Sequence, residues 1–357
     1  MKKLLALLPL CALLATVWVL AAGDAGDPLV SLSHLTGAFT AKVDTAVEQR
    51  LDRSDETLLS GGSGAAGGSA AVTWTEQRFK QGDALIGSTG TNVLLLAGGA
   101  QVTYASGAVV DVSAGATVPS GTPLSTGHRY MVAEDTSAVF TVTSKTAVVD
   151  YQGSYSLSLS DAVDYNAMAA ALKQLHLFQG SFTGYGQGFD LEAAPTRLQA
   201  LIMFIRVLGE EEQALAWSGS TPFTDIAKGS QAEKYVGYAY SCGYTNGYSA
   251  TQFKPAGAVN AYQYTEFVLR ALGYSSAGNT NLADTLTRAQ NAGVLTAGEV
   301  EMLQRDRFLR AELVYISYYA LEAMTPSGTE TLADVLESKG VFTRSEYAAA
   351  RISGWRL

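Results

Sequence analysis

Two stretches, "FDLEAAPTRLQALIMFIRVLGE" (189–210) and "FKPAGAVNAYQYTEFVLRALGY" (253–274), decide how this chain is built. An offset of 64 residues lays Phe189 on Phe253, Arg206 on Arg270, Leu208 on Leu272 and Gly209 on Gly273. Each stretch is a loop carrying a Phe, a corner rich in helix-capping residues, and an apolar run too short to cross a bilayer. The upstream segments "LKQLHLFQG" (172–180) and "AYSCGYTNG" (239–247) also correspond, each a helix running into a Gly loop. A third copy follows in "RAQNAGVLTAGEVEMLQRDRFLRAELVYISYYALEA" (288–323), with Gly293 near Gly243 and Phe308-Leu309-Arg310 on Val259-Asn260-Ala261. One helix–loop–helix unit buries little by itself, so three are expected to pack as one body.

Outward from the repeats, the texture changes in steps. Residues 1–25 combine two lysines, an apolar run from Leu4 to Ala22 and small residues near Ala21–Ala25, which predicts an export signal, either cleaved or retained as an N-terminal anchor. In 26–60, Leu35, Phe39, Val43, Val47 and Leu51 recur every four residues, an amphipathic helix that packs on its own domain or self-associates. Residues 61–71 are Gly/Ser-rich with no side chain able to bury surface, hence a linker. From 72 to 156, short Val/Thr/Tyr runs such as "AVTWTEQRF" and "AVFTVTS" alternate apolar and polar residues between Gly and Ser turns, the pattern of a small antiparallel β barrel or sandwich. Helical periodicity then governs 161–210, 221–274 and a degenerate 281–324, and the tail 325–357 ends in Thr343-Arg344-Ser345-Glu346, an ordinary capped helix start. The expected fold class is α+β multidomain: the β unit followed by an α-helical trio of repeats.

The formal net charge of −9 argues against nucleic acid and anionic lipid as partners, so any anion must meet a local site and not a global field. With the signal removed, Cys242 is the last cysteine and no intramolecular disulfide forms; in "AYSCGY" it reads as a small buried apolar residue at a helix end. His34, His128 and His176 fall in three segments, none with a second ligand nearby, and His176 on "ALKQLHLF" reads as a packed imidazole. "GHRYMVAED" offers one His with Glu134 six residues on, short of the clustered ligands of a metal cupin. There is no Gly-x-Ser-x-Gly elbow, phosphate loop or dinucleotide fingerprint. Asp111, Glu134, Asp135 and Asp150 lie between strands as solvated turn acids, the alternative being a carboxylate pair acting on glycosides. No enzyme, metal or cofactor is expected.

The stretch "PFTDIAKGSQAEKYVGYAYSCGYTNGYSATQFKPAGAVNAYQYTEFVLRALGY" (222–274) resembles an S-layer homology repeat: Phe-x-Asp, a helix, Gly-x-x-x-Gly, Phe-x-Pro and a second helix ending in Leu-Gly. The resemblance extends over 161–324 and implies an exported cell-wall protein that grips a secondary cell-wall polysaccharide, often one bearing pyruvyl ketals, through a trio of repeats. In that family the second helix opens with Thr-Arg-Ala-Glu, and its Arg contributes to a glycan groove between repeats. Here the corners read Thr196-Arg197-Leu198-Gln199 and Leu309-Arg310-Ala311-Glu312, whereas the second reads Asn260-Ala261-Tyr262-Gln263, and Gln231 stands where a Trp is usual. The resemblance thus implies Thr196, Arg197, Gln199, Arg310 and Glu312 as glycan contacts and at most two charged grooves. A guanidinium suits a ketal carboxylate, which it holds through two parallel charge-assisted hydrogen bonds. The local alternative is a capping role for Thr196, Gln199 and Glu312. Phe189 and Phe253 are expected as core plugs, with Tyr185, Tyr244 and Tyr248 among glycines as candidates for sugar stacking. Set against wall binding are a structural protein whose repeats merely scaffold the β unit, and a hydrolase of wall polymer.

Overall fold

The computed structural model describes residues 73–180, 184–274, 281–352 and 356–357. The expected signal (1–25), amphipathic helix (26–60) with its self-association, and linker (61–71) lie outside the described residues.

Alternation of apolar and polar residues produces the strands. In Ser137–Val142 the side chains of Ala138, Phe140 and Val142 are buried while those between them are not, so the strand has one dry face. The strands are β1 (Thr75–Lys80), β2 (Ala84–Ser88), β3 (Asn92–Ala97), β4 (Ala100–Tyr104), β5 (Ala108–Asp111), β6 (Ala116–Val118), β7 (Thr122–Pro123), β8 (Arg129–Ala133), β9 (Ser137–Val142), β10 (Thr146–Gln152) and β11 (Tyr155–Ser158). They form two antiparallel sheets, ordered β1-β10-β3-β8-β5-β6 and β11-β2-β9-β4-β7. One core containing Phe79, Val93, Leu95, Tyr130, Val132 and Tyr151 from the first sheet and Leu85, Val102, Phe140 and Val142 from the second joins them, a sandwich rather than a barrel. The chain passes from β3 in one sheet to β4 in the other through Gly98, whose φ of +86° favours glycine and whose Cβ would stand 2.3 Å from the Thr146 carbonyl oxygen. A bulge at Val148/Val149 lets β10 bury consecutive residues. Val148 then faces outward and is covered by Gly186 of the helical region.

From Asp164, which caps the first helix by accepting from Ala167 N, the chain is helical. The helices are α1 (Tyr165–Gln174), α2 (Arg197–Val207), α3 (Glu211–Ala216), α4 (Gln231–Ser241), α5 (Ala261–Ala271), α6 (Thr285–Asn291), α7 (Ala297–Arg305), α8 (Arg310–Ala320), α9 (Leu332–Ser338) and α10 (Arg344–Ala349). The largest core gathers Met168 and Leu172 of α1, Phe189, Met203 of α2, Tyr264 of α5, Leu286 of α6, Leu303 of α7 and Tyr315 of α8. A second core sets Leu201, Phe204 and Ile205 of α2 against Tyr235 and Val236 of α4 and Phe253. Phe189 and Phe253 are therefore core plugs, as expected, each worth about 1.5–3 kcal/mol of burial. Thr343 caps α10 in a capping box with Glu346.

Two expectations are corrected. Cys242 is exposed: it is the C-cap of α4, where the last turn faces solvent, and the apolar contacts of that helix are made by Tyr235, Val236 and Ala239. His176 is also exposed, because α1 ends at Gln174 and the backbone turns left-handed at His176 (φ +62°), directing Leu175 and Leu177 inward in its place.

Candidate functional site

The corners form first from local chemistry. Thr196 Oγ1 accepts from Gln199 N at 3.2 Å and Gln199 Oε1 accepts from Thr196 N at 2.9 Å, a capping box that opens α2. Asn260 and Gln263 do the same for α5, at 2.9 and 3.2 Å. At α8, Glu312 accepts from Leu309 N at 2.7 Å, but Leu309 has no acceptor to return. The next amides look outward to another loop: Arg197 N donates to Gly257 O (2.7 Å) and Leu198 N to Pro255 O (3.1 Å). Arg310 N donates to Ala193 O (2.8 Å) and Ala311 N to Leu191 O (3.1 Å). Leu191 and Ala193 correspond to Pro255 and Gly257 under the 64-residue offset, so both Arg corners clasp equivalent loops.

Those clasps place Gln199 and Arg310 on the wall of one cavity of about 190 Å³, lined also by Phe178, Gln179, Gly180, Pro195, Ile202, Met203, Arg206, Gln231, Tyr235 and Leu313. Among the described residues the lining holds two guanidiniums and three carboxamides and no carboxylate. Arg206 is already engaged, through Nε and Nη2 on Glu211 at 2.8 Å. Arg310 is not: although only 5 % exposed, its guanidinium makes a single polar contact among the described residues, 3.8 Å from Asp190 Oδ2, and lies 5.5 Å over the Phe178 ring. Burial pushes its pKa down, and Asp190 and Glu192 oppose that. A buried cation with spare donors facing a polar cavity favours an anionic or hydroxyl-rich occupant.

Arg197 points elsewhere. Its Nε is buried without a hydrogen-bond partner, and its guanidinium sits 6.0 Å from the ring of Tyr248, which is 57 % exposed. Lys254 Nζ lies 3.4 Å from the same ring centroid, its backbone held in a left-handed turn by Asp225, which accepts from Phe253 N and Lys254 N at 2.9 and 2.7 Å. This corner presents a second cation–aromatic surface. Tyr244, by contrast, donates its hydroxyl to Glu210 at 2.8 Å and packs half-buried against the second helical core.

Glu312 faces away from the cavity. Its buried carboxylate receives Lys145 from the β9–β10 turn, which also bonds Asp306 at 2.7 Å and holds that carboxyl below its usual range. The structure therefore brings Gln199 and Arg310 together, sets Arg197 on a neighbouring surface, and uses Thr196 and Glu312 at the corners themselves. The sequence did not single out Gln179, Tyr235 or Lys254; Gln231 was marked only as a departure from a Trp, and Arg206 only as a position matched by the repeat. The offset paired Arg206 with Arg270 without giving either a role; in the structure Arg270 pairs with Glu266 at 3.1 Å as Arg206 pairs with Glu211.

On the sandwich, His128 Nδ1 meets Asp111 Oδ2 at 2.7 Å. Burial raises the Asp111 carboxyl, but this bond and that from Ala114 N outweigh it and hold the group low. Among the described residues no group of three or more His, Cys, Asp or Glu could hold a metal ion, and no helix is long and apolar enough to cross a membrane.

Residues 222–260 match the family model of the S-layer homology domain. The chain is 29 % identical over 201 residues to a cell surface protein of Thermoanaerobacter kivui, covering 53 % of this chain and 24 % of that one. It is 27 % identical over 162 residues to a middle cell wall protein of Brevibacillus brevis, covering 41 % of this chain and 15 % of that one. The chain thus spans a quarter or less of the length of these relatives. Among solved structures, procruciferin of Brassica napus, an 11S globulin, shares 15 % identity over 28 % of this chain and 27 % of that one at a TM-score of 0.17, too little to bear on fold or function.

Proposed function

We infer that this chain, a surface protein containing an S-layer homology domain, attaches non-covalently to a cell-wall polysaccharide through three divergent repeats, 161–210, 221–274 and 281–324. The paired clasps at Arg197 and Arg310 support that repeat assignment, since corresponding amides seek corresponding carbonyls. Arg310 carries the functional reading: a buried guanidinium with, among the described residues, one 3.8 Å ion pair, facing a cavity whose described lining holds no carboxylate. Its donors suit the carboxylate of an acidic sugar such as a pyruvyl ketal, and the carboxamides of Gln179, Gln199 and Gln231 suit sugar hydroxyls. Arg197, with Tyr248 and Lys254, offers a second contact on the outer surface. Thr196 and Glu312 hold the corners that present both arginines.

A net charge of −9 is compatible with an anionic ligand because both sites are local and the cavity is partly desolvated. The purified full chain should co-sediment with isolated cell-wall sacculi. Arg197→Ala/Arg310→Ala should stay in the supernatant, with its fold verified by circular dichroism. Wild-type protein remaining in the supernatant, or the folded double variant pelleting like wild type, overturns the reading.

A second reading is favoured by one observation, the burial of Arg78 and Lys145 of the sandwich against the helical region. In it the repeats scaffold the sandwich at the surface and bind no glycan. The same sedimentation separates the two.

A further inference from the structure

Arg78 on β1 reaches out of the sandwich. Its side chain is 6 % exposed, and its three nitrogens donate to Asn166 Oδ1 (2.7 Å), Gly186 O (3.0 Å) and Glu192 Oε1 (2.5 Å), all in the helical region. Glu76, two residues earlier on the same face of the strand, accepts from Gly186 N at 2.7 Å. A Cβ at Gly186, where φ is +59°, would fall 2.4 Å from Arg78 Nη1 and 2.7 Å from Val148 Cγ2, so only glycine allows so close an approach. The strand therefore fixes the start of the loop that runs from Gly186 to Glu192.

That loop carries both acids near Arg310. Asp190 stands 3.8 Å from it, and Glu192 also acts on its charge, as does Arg78 with the opposite sign. Two carboxylates and two guanidiniums thus share one small region, and Arg78 takes Glu192 at 2.5 Å. Left without Arg78, Glu192 would be a partly buried carboxylate in need of a cation, and Asp190, two residues earlier on the same loop, already lies 3.8 Å from Arg310, a guanidinium with donors to spare.

We propose that Arg78 is a positioning residue for the cavity: by occupying Glu192 it keeps that carboxylate off Arg310 and leaves the guanidinium to an anionic group of the ligand. This rests on the reading that the cavity takes an acidic sugar. The β sandwich is then part of the binding unit and not a cargo displayed by it.

The test measures binding of the full chain to isolated sacculi by sedimentation, with fold checked by urea unfolding. Arg78→Met should weaken binding roughly tenfold, the factor that competition from Glu192 worth about 1.4 kcal/mol produces. Adding Glu192→Gln to it should restore most of the affinity by removing the competing carboxylate, and Arg78→Lys, which keeps a cation for Glu192, should stay near wild type. An Arg78→Met variant that binds like wild type overturns the proposal. So does an Arg78→Met/Glu192→Gln pair as weak as the single variant, since Arg78 would then only hold the two lobes together. Where Met prevents folding, Arg78→Gln with and without Glu192→Gln gives the same comparison. Arg310→Met separates this from the underlying reading: if it binds like wild type the cavity itself is wrong, and if it alone loses binding only the role of Arg78 falls.

Discussion

Replacing Lys145 by Met should destabilise the protein by about 2–3 kcal/mol. Lys145 Nζ bonds Asp306 at 2.7 Å and Glu312, and the side chains are 20 %, 25 % and 1 % exposed respectively. Methionine keeps the apolar stem and removes the charge. Glu312 is then a buried carboxylate with no cation, a loss that reaches roughly 3–5 kcal/mol for fully buried pairs. Two features lower it here: Lys145 is one-fifth exposed, and Glu312 keeps its bond from Leu309 N. The assay is urea unfolding of the purified chain, read as a midpoint shift at unchanged slope. A second variant, Lys145→Met/Glu312→Gln, should recover much of the loss, because a neutral carboxamide needs no counter-charge. The effect should also depend on pH. Lys145 holds the Asp306 carboxyl below its ordinary 3.8, so its contribution is present above the unfolded value and disappears as pH falls through the folded one. The gap between wild type and Lys145→Met should therefore narrow below that value. A loss under about 0.5 kcal/mol, typical of a surface pair, would refute the reasoning, as would a double variant in which the two losses simply add.

Other outcomes follow from single positions. Gly98→Ala forces a Cβ to within 2.3 Å of the Thr146 carbonyl at a φ of +86°, and should lower the thermal midpoint of the sandwich sharply or prevent folding, where Gly90→Ala, at φ +87° with open space, should be milder. Thr196→Ala removes the cap of α2 and should cost about 1 kcal/mol by urea unfolding, with Asn260→Ala close to it because both sit in equivalent capping boxes.

How much of this was legible depended on range. The capping boxes at Thr196/Gln199 and Thr343/Glu346 lie three residues apart, and alternation in Ser137–Val142 is a property of six consecutive residues, so the sequence shows both directly. The 64-residue offset likewise anticipated Phe189 and Phe253 as core. Arg78–Glu192 and Lys145–Glu312 join residues 114 and 167 positions apart, and nothing in either neighbourhood names its partner. The division of roles among the corner residues was hidden for the same reason. Arg197 and Arg310 look alike in sequence and clasp equivalent loops, yet one meets Tyr248 and the other lines a cavity, because the side chains around them differ. Cys242 misled because its apolar neighbours are the inward residues of α4, and helical phase at a C-cap is set by where the helix stops.

The central claim is that Arg310 gives the cavity its affinity for an acidic group on wall polysaccharide. It is tested most directly by isothermal titration of the full chain with a methyl hexoside bearing a 4,6-pyruvyl ketal, in wild type and Arg310→Met. Saturable heat with wild type that is lost in the variant, and absent for both with the same hexoside lacking the ketal, is the predicted result. Equal binding by wild type and a folded Arg310→Met protein, or no binding by wild type at millimolar sugar, contradicts it.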